Sequence, residues 1–131
     1  MTFELAMLAG ACALGLVHIV LASHSASLKR GYRWSAGPRD EPQAPLGGVA
    51  GRLERASANF METFPVFVAA VIMAQLANAH DWRTVWGSAL YLGARVVYLP
   101  LYAAGIILFR SLVWNVAIAG IALLIWAAIA P

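Results

Sequence analysis

The chain has 131 residues, of which 62% are hydrophobic and only 11% are charged. Soluble domains carry about 25% charged residues, so this composition excludes an ordinary soluble domain and indicates an integral membrane protein. The net charge is +3. Most of the basic residues lie between the first two apolar segments: Lys29, Arg30, Arg33, Arg39, Arg52 and Arg55. A membrane-flanking loop explains that cluster, whereas nucleic-acid binding needs a basic stripe in a soluble context, so we expect no nucleic-acid partner.

Four apolar segments are long enough to cross a bilayer, which takes about 20 residues in a helix. The predicted helices lie at about 3–28, 51–79, 84–108 and 112–130, with a polar loop at 29–50. The sequence therefore predicts an all-α integral membrane protein, a bundle of four antiparallel transmembrane helices in one domain, 1–131.

The second predicted helix carries polar side chains on one face. Arg55, Asn59 and Glu62 stand at i, i+4 and i+7, a spacing that places them on the same side of a helix. Ionisable residues within a membrane face the protein interior or a cavity, so this stripe is a candidate binding site. The alternative is an Arg–Glu pair that only ties helices together.

The third predicted helix also has a polar face, because Arg95, Tyr98 and Tyr102 stand at i, i+3 and i+7. Tyrosines alone are typical of interfacial aromatic belts, but an arginine among them favours a lined cavity. Arg110 and Ser111 separate the last two apolar segments, and we predict Ser111 as the N-cap of the final helix. Arg110 would then lie beside a positive helix end, where anions are favoured.

The sequence shows neither a metal site nor a catalytic triad. His18 and His24 are six residues apart and do not share a helical face, so we expect them to be structural and predict no metal. No Ser-His-Asp pattern is present, so a nucleophile would have to come from the ligand. Two arginine-bearing faces with a carboxylate, an amide and two phenols suit a small zwitterionic ligand with several carboxylates.

Two of these motifs resemble those of the MAPEG family, the membrane-associated proteins in eicosanoid and glutathione metabolism. The motifs are Arg55-Ala56-x-x-Asn59-x-x-Glu62-x-Phe64-Pro65-x-Phe67 and Ala94-Arg95-x-x-Tyr98-x-x-x-Tyr102 followed by Arg110-Ser111. Thr63 departs from the pattern, since some members have a tyrosine there. The chain is similar to bacterial-type members of the family.

The resemblance implies a glutathione-dependent membrane transferase or peroxidase, with glutathione as co-substrate and a lipophilic small molecule as second substrate. It also implies a homotrimer in the lipid bilayer, with glutathione between neighbouring subunits. The glutathione site would be lined by Arg55, Asn59, Glu62, Arg95, Tyr98 and Tyr102. Arg110 would be the catalytic residue that stabilises the thiolate, and Lys29 or Arg30 would add a basic contact.

The loop charges predict an orientation in the membrane. The first loop holds six basic residues when Arg52 and Arg55 at its edge are counted, the second holds one and the third holds Arg110. Because basic loops face the cytoplasm, we expect the first and third loops on the cytoplasmic side and both termini opposite. The candidate site then faces the cytoplasm, and a bacterial inner membrane is the expected location.

Two other functions are compatible with the sequence. One is a small four-helix transporter, which would use a membrane-embedded acid early in its first helix; the only acid there is Glu4, at the very edge. The other is a non-catalytic member of the resembled family that acts as an assembly or regulatory subunit, since a preserved site proves neither substrate nor turnover.

Overall fold

The computed structural model describes residues 1–130, which contain five α-helices and no strand. They are α1 Phe3–Arg30, α2 Tyr32–Ala36, α3 Gly48–Leu76, α4 Trp82–Ala104 and α5 Ile107–Ile129. Three of them, α1, α3 and α5, are long and apolar enough to cross a membrane, and α4 is a fourth long helix of 23 residues. The predicted all-α membrane fold is confirmed.

Contacts between helix ends show that neighbouring long helices run in opposite directions. Near the start of α1, Glu4 accepts hydrogen bonds from Gln75 at the end of α3, at 3.5 Å, and from Thr84 at the start of α4, at 2.5 Å. At the opposite end, the Nε atom of Arg52 donates to the carbonyl of Ala103, at 2.7 Å. We call the end that holds Glu4 the terminal end and the end that holds Arg52 the loop end.

The polar connection between the first two long helices contains the short helix α2. Glycine flanks that helix on both sides, with Gly31 at its start and Gly37 after its end. α3 then begins at Gly48 and ends at Leu76, and so starts and stops about three residues earlier than the predicted 51–79. At the next connection, Asp81 and Thr84 form a reciprocal capping box that fixes the start of α4.

The break between α4 and α5 lies at Gly105, several residues before the predicted one. Gly105 adopts a left-handed conformation with φ 79°, and its N–H bonds to the carbonyls of Leu101 and Tyr102. Glycine is the usual residue at this position because it has no Cβ to clash in the left-handed region. The turn therefore follows backbone conformation and not the polar Arg110–Ser111 pair.

This earlier break changes the position of two predicted site residues. α5 begins at Ile107, so Arg110 lies in the first turns of the helix and Ser111 follows within it. The prediction that Ser111 caps the last helix is wrong, because its hydroxyl donates back to the carbonyl of Ile107, at 3.3 Å. The start of α5 has no side-chain cap at all.

The core lies where α3, α4 and α5 meet. Phe67 of α3 stacks on Tyr91 of α4 with ring centroids 3.9 Å apart, and both are fully buried. α4 and α5 approach each other at two glycines, since a Cβ on Gly120 would lie 2.6 Å from the carbonyl oxygen of Gly87. Small residues at such crossings let helix backbones pack directly in membrane bundles.

Candidate functional site

An open groove of about 460 Å³ lies near the loop end, where α3, α4 and α5 meet. Its lining residues are Asn59, Tyr98, Tyr102, Arg110, Ser111, Trp114 and Asn115. Three different helices thus contribute polar side chains to one concave surface.

The structure brings together four of the predicted site residues: Asn59, Tyr98, Tyr102 and Arg110. Arg95 is fully buried behind this surface and does not line it. Arg55 and Glu62 are exposed on α3 and lie outside the groove, as do Lys29 and Arg30 at the end of α1. Four of the predicted site residues therefore line the groove, Arg95 lies buried behind it, and the others lie outside it.

Arg110 and the two tyrosines form a stacked unit in the groove. The guanidinium carbon of Arg110 lies 4.6 Å from the centre of the Tyr102 ring, and that ring lies 5.5 Å from the ring of Tyr98. A guanidinium over a phenol ring is a favourable contact of about 0.5–2 kcal/mol. Because Arg110 also lies in the first turns of α5, the positive end of the helix dipole adds to its charge. This corner of the groove is suited to an anion.

Arg95 fixes the orientation of Asn59. Its Nη1 donates to the side-chain Oδ1 of Asn59, at 2.8 Å, and its Nη2 donates to the Asn59 carbonyl, at 3.2 Å. A guanidinium has only donors, so the amide must turn its oxygen toward Arg95. The Nδ2 group of Asn59 is then the part of the amide left for a ligand, and it can only donate. The complementary ligand group is an acceptor such as a carbonyl or carboxylate.

No carboxylate neutralises Arg95 within residues 1–130. The charge is instead held by hydrogen bonds to Asn59 and Thr63 and by the rings of Phe60, Tyr91 and Tyr98, whose centres lie 5.1–5.8 Å from its guanidinium carbon. Buried charges are costly unless they are hydrogen-bonded. Thr63 completes this network through a 3.2 Å contact with the hydroxyl of Tyr91.

Arg55 and Glu62 form no ion pair, either with each other or with another group among residues 1–130. The alternative that this pair ties helices together within one chain is thus not supported. Both side chains are exposed on a helix that is otherwise suited to lipid. Charged groups facing hydrocarbon are costly, so this face of α3 calls for a polar cover.

Sequence reasoning missed three groove residues, Ser111, Trp114 and Asn115. A signal was present, because Asn115 is the only amide in a very apolar segment and follows Ser111 by one helical turn. In the structure the Nδ2 of Asn115 donates to the Ser111 carbonyl, at 2.9 Å. Trp114 follows Arg110 by the same spacing, so two adjacent rows of α5 face the groove.

The terminal end carries a separate set of charges. Arg83 donates to Asp81 through its Nε, at 2.7 Å, and also reaches the carbonyl of Ala130. The hydrogen bond from Arg83 holds the pKa of the Asp81 carboxyl below its usual range. These contacts connect the start of α4 to the end of α5, at the opposite end of the bundle from the groove. The described residues contain no group of three potential metal ligands.

His18 is buried, with 1% of its surface exposed, and its ring stacks on Phe60 at 4.7 Å. The structural role expected for this histidine is consistent with that position between α1 and α3. His24, by contrast, is exposed and its Nδ1 lies 3.0 Å from the carbonyl of Val20 in its own helix.

Three apolar helices and a polar groove at one end define the class as an integral membrane protein with a polar site close to a membrane interface. The MAPEG family model matches residues 7–130, nearly the whole chain, and the protein belongs to the MAPEG family. The resemblance drawn from the two motifs is confirmed. No curated protein matches the sequence.

Proposed function

We propose that this protein is a glutathione-dependent membrane transferase or peroxidase that activates the glutathione thiol for attack on a lipophilic electrophile or hydroperoxide. The family includes enzymes of both kinds. The observation that carries the proposal is the position of the Arg110 guanidinium, 4.6 Å from the Tyr102 ring in an open groove that also holds Asn59.

Each group in the groove has a defined task in this proposal. The Nδ2 of Asn59 donates to a carbonyl or carboxylate of glutathione, because Arg95 occupies its oxygen. Arg110 lies close to the sulfur and favours its ionised form, since a nearby positive charge lowers the pKa of a thiol. The thiol proton leaves to water. The thiolate then attacks an electrophilic carbon and expels its leaving group. With a hydroperoxide, the thiolate instead attacks the terminal oxygen and the O–O bond breaks, so that glutathione is oxidised to its sulfenic acid and the alkoxide takes a proton from water to leave as the alcohol.

Arg55 and Glu62 enter the site through a second copy of the chain. Both are exposed on α3 and unpaired within residues 1–130, and a neighbouring subunit in a homotrimer would supply the polar cover that lipid does not. A glutathione molecule between the subunits gives Glu62 an ammonium partner and Arg55 a carboxylate partner. The site faces the cytoplasm of a bacterial inner membrane in this proposal, as the basic first loop indicates.

The structure does not support the transporter alternative. Its required acid would be Glu4, which is 3% exposed at the terminal end and already accepts hydrogen bonds from Thr84 and Gln75. A carboxylate satisfied by side chains of two other helices ties the bundle together and is poorly placed to exchange a proton with cargo.

The deciding experiment follows the ultraviolet absorbance of the glutathione thiolate bound to purified protein as the pH is raised. We expect the wild type to show a thiol that ionises at lower pH than free glutathione. Arg110→Ala should shift this titration to higher pH, and Arg110→Lys should shift it less because the charge is retained. Arg33→Ala is the matched control, since Arg33 is an exposed arginine at the same end of the bundle and outside the groove.

Superimposed titrations for the wild type and Arg110→Ala would show that Arg110 does not stabilise a thiolate. Failure of the wild type to bind glutathione at all would refute the proposed function itself and favour a non-catalytic member of the family.

A further inference from the structure

The α5 side of the groove continues past Arg110 toward the middle of a candidate membrane span, Ile107–Ile129. Ser111, Trp114 and Asn115 line this part of the groove. Asn115 follows Arg110 by five residues, so it lies about 7.5 Å further along the helix axis. A lipophilic molecule that enters from the bilayer and approaches a sulfur atom near Arg110 therefore lies against these three side chains.

The two polar side chains in this part of the groove both donate to the backbone of α5. Ser111 uses its only donor in this way, because its hydroxyl donates to the carbonyl of Ile107, at 3.3 Å. The Nδ2 of Asn115 donates to the Ser111 carbonyl, at 2.9 Å. A backbone carbonyl only accepts, so the amide must turn its nitrogen to the helix. Its Oδ1 atom has no hydrogen-bond partner among residues 1–130, and one N–H of the amide also remains.

An unpaired amide oxygen at this depth requires a donor. Asn115 is exposed on a helix whose most apolar stretch has a mean hydropathy of 2.3, and hydrocarbon offers no hydrogen bonds. Elsewhere in the groove Asn59 and Arg110 present donors, while the hydroxyls of Tyr98 and Tyr102 take either role. The groove thus offers donors to the acceptors of glutathione and, on α5, acceptors to a second molecule.

Electrophiles differ in what they offer to such acceptors. Aryl halides and epoxides carry no O–H, so they would leave Ser111 and Asn115 unpaired, and unpaired polar groups weaken binding. A hydroperoxide carries an O–H on its terminal oxygen, which is the atom that the thiolate attacks. Sites built to bond a substrate hydroxyl discriminate against analogues that lack it.

We propose that Asn115, assisted by Ser111, accepts a hydrogen bond from the terminal O–H of a lipophilic hydroperoxide and makes the site selective for this substrate class. This inference rests on the proposed glutathione-dependent function. The bond holds the proton away from the sulfur, while Trp114 packs against the apolar part of the substrate. The sulfur bonds to the terminal oxygen as the O–O bond breaks. The proton stays on that oxygen in the glutathione sulfenic acid, and the alkoxide takes a proton from water.

The test measures kcat/KM for cumene hydroperoxide and for chlorodinitrobenzene with the purified full chain in lipid nanodiscs at saturating glutathione. The readout is the ratio of the two values. Asn115→Leu is nearly isosteric but has no acceptor, so it should lower this ratio about tenfold, the size of one neutral hydrogen bond. Asn115→Gln keeps the amide and should lower the ratio less. Leu112→Val is the matched control, because Leu112 is exposed on α5 outside the groove, and it should keep the ratio of the wild type.

Four results would overturn the proposal. An unchanged ratio in Asn115→Leu, with both substrates still consumed, would show that the amide does not select hydroperoxides. An equal fall in glutathione affinity, measured by calorimetry, would assign the amide to the glutathione site. An altered oligomeric state in Asn115→Leu, seen by crosslinking, would assign the oxygen to a neighbouring subunit. A wild type that consumes only chlorodinitrobenzene would exclude hydroperoxides. Failure of the wild type to bind glutathione is a separate result, because it would refute the proposed function itself.

Discussion

Thr63 offers a sharp test of the buried network behind the groove. Its hydroxyl accepts a hydrogen bond from Arg95 and contacts the hydroxyl of Tyr91, at 3.2 Å, and the side chain is only 8% exposed. Thr63→Val keeps the shape and removes both contacts. We expect it to lower the free energy of unfolding.

The magnitude follows from the partners that are left behind. A hydrogen bond to a charged group contributes about 1.5–3 kcal/mol, and an unsatisfied buried hydroxyl costs about 1–3 kcal/mol. Arg95 keeps its bonds to Asn59, so the two losses overlap and we expect about 2–4 kcal/mol for Thr63→Val. Thr63→Ser is the control, because it keeps the hydroxyl and loses one methyl group, at about 1 kcal/mol.

The assay is reversible unfolding of both variants in the same detergent or bilayer, followed by circular dichroism. Glutathione affinity should fall less in Thr63→Val than in Asn59→Ala, because Asn59 lines the groove and Thr63 does not. If Thr63→Val is as stable as Thr63→Ser, the hydroxyl is not a partner that Arg95 needs, and the account of the buried network is refuted.

Three further predictions follow from other parts of the molecule. Arg110→Ala should lower turnover more than glutathione affinity, because the charge of Arg110 acts mainly on the ionised sulfur. Steady-state kinetics would measure turnover and calorimetry would measure affinity, and equal losses in the two would contradict this prediction. Gly120→Ala should destabilise the bundle by about 1–3 kcal/mol through overpacking, because the added Cβ would lie 2.6 Å from the Gly87 carbonyl oxygen; Gly93→Ala, which would meet nothing within 4 Å, should be tolerated in the same unfolding assay. Asp81 has a pKa below its usual range in the folded protein. Its contribution to stability is therefore present above its unfolded pKa and is lost as the pH falls through the lower folded pKa. In Asp81→Asn, the free energy of unfolding measured against pH should lose this acid-side decrease, and an unchanged profile would contradict the assignment.

Composition and local spacing determined the class of the protein. A chain that is 62% hydrophobic with long apolar runs has to place helices in a membrane. So much exposed apolar surface is tolerated only in lipid, and there the backbone groups must bond to each other, as they do in a helix. The two polar faces were also readable, since residues three, four and seven apart share a side of any helix. The motifs on those faces were enough to indicate the MAPEG family, which the match over residues 7–130 establishes.

Helix boundaries were harder to predict from the sequence where polar residues and the residue best suited to a turn lie at different positions. Polarity placed the last break at Arg110–Ser111, yet the chain turns at Gly105 because glycine accepts φ 79° without steric cost. That shift of a few residues moved Arg110 from a connection onto a helix, where it lines the groove together with Ser111, Trp114 and Asn115.

Only the tertiary structure decided what each polar side chain does. Spacing makes Arg55, Asn59 and Glu62 equivalent members of one stripe, but α4 reaches only Asn59, through the buried guanidinium of Arg95. The outer two residues stay exposed. The helical period determines which residues share a face. The neighbouring helix determines which part of that face is covered, which part is hydrogen-bonded and which part is left for a ligand. These contacts join residues that are distant in sequence, so no local pattern predicts them.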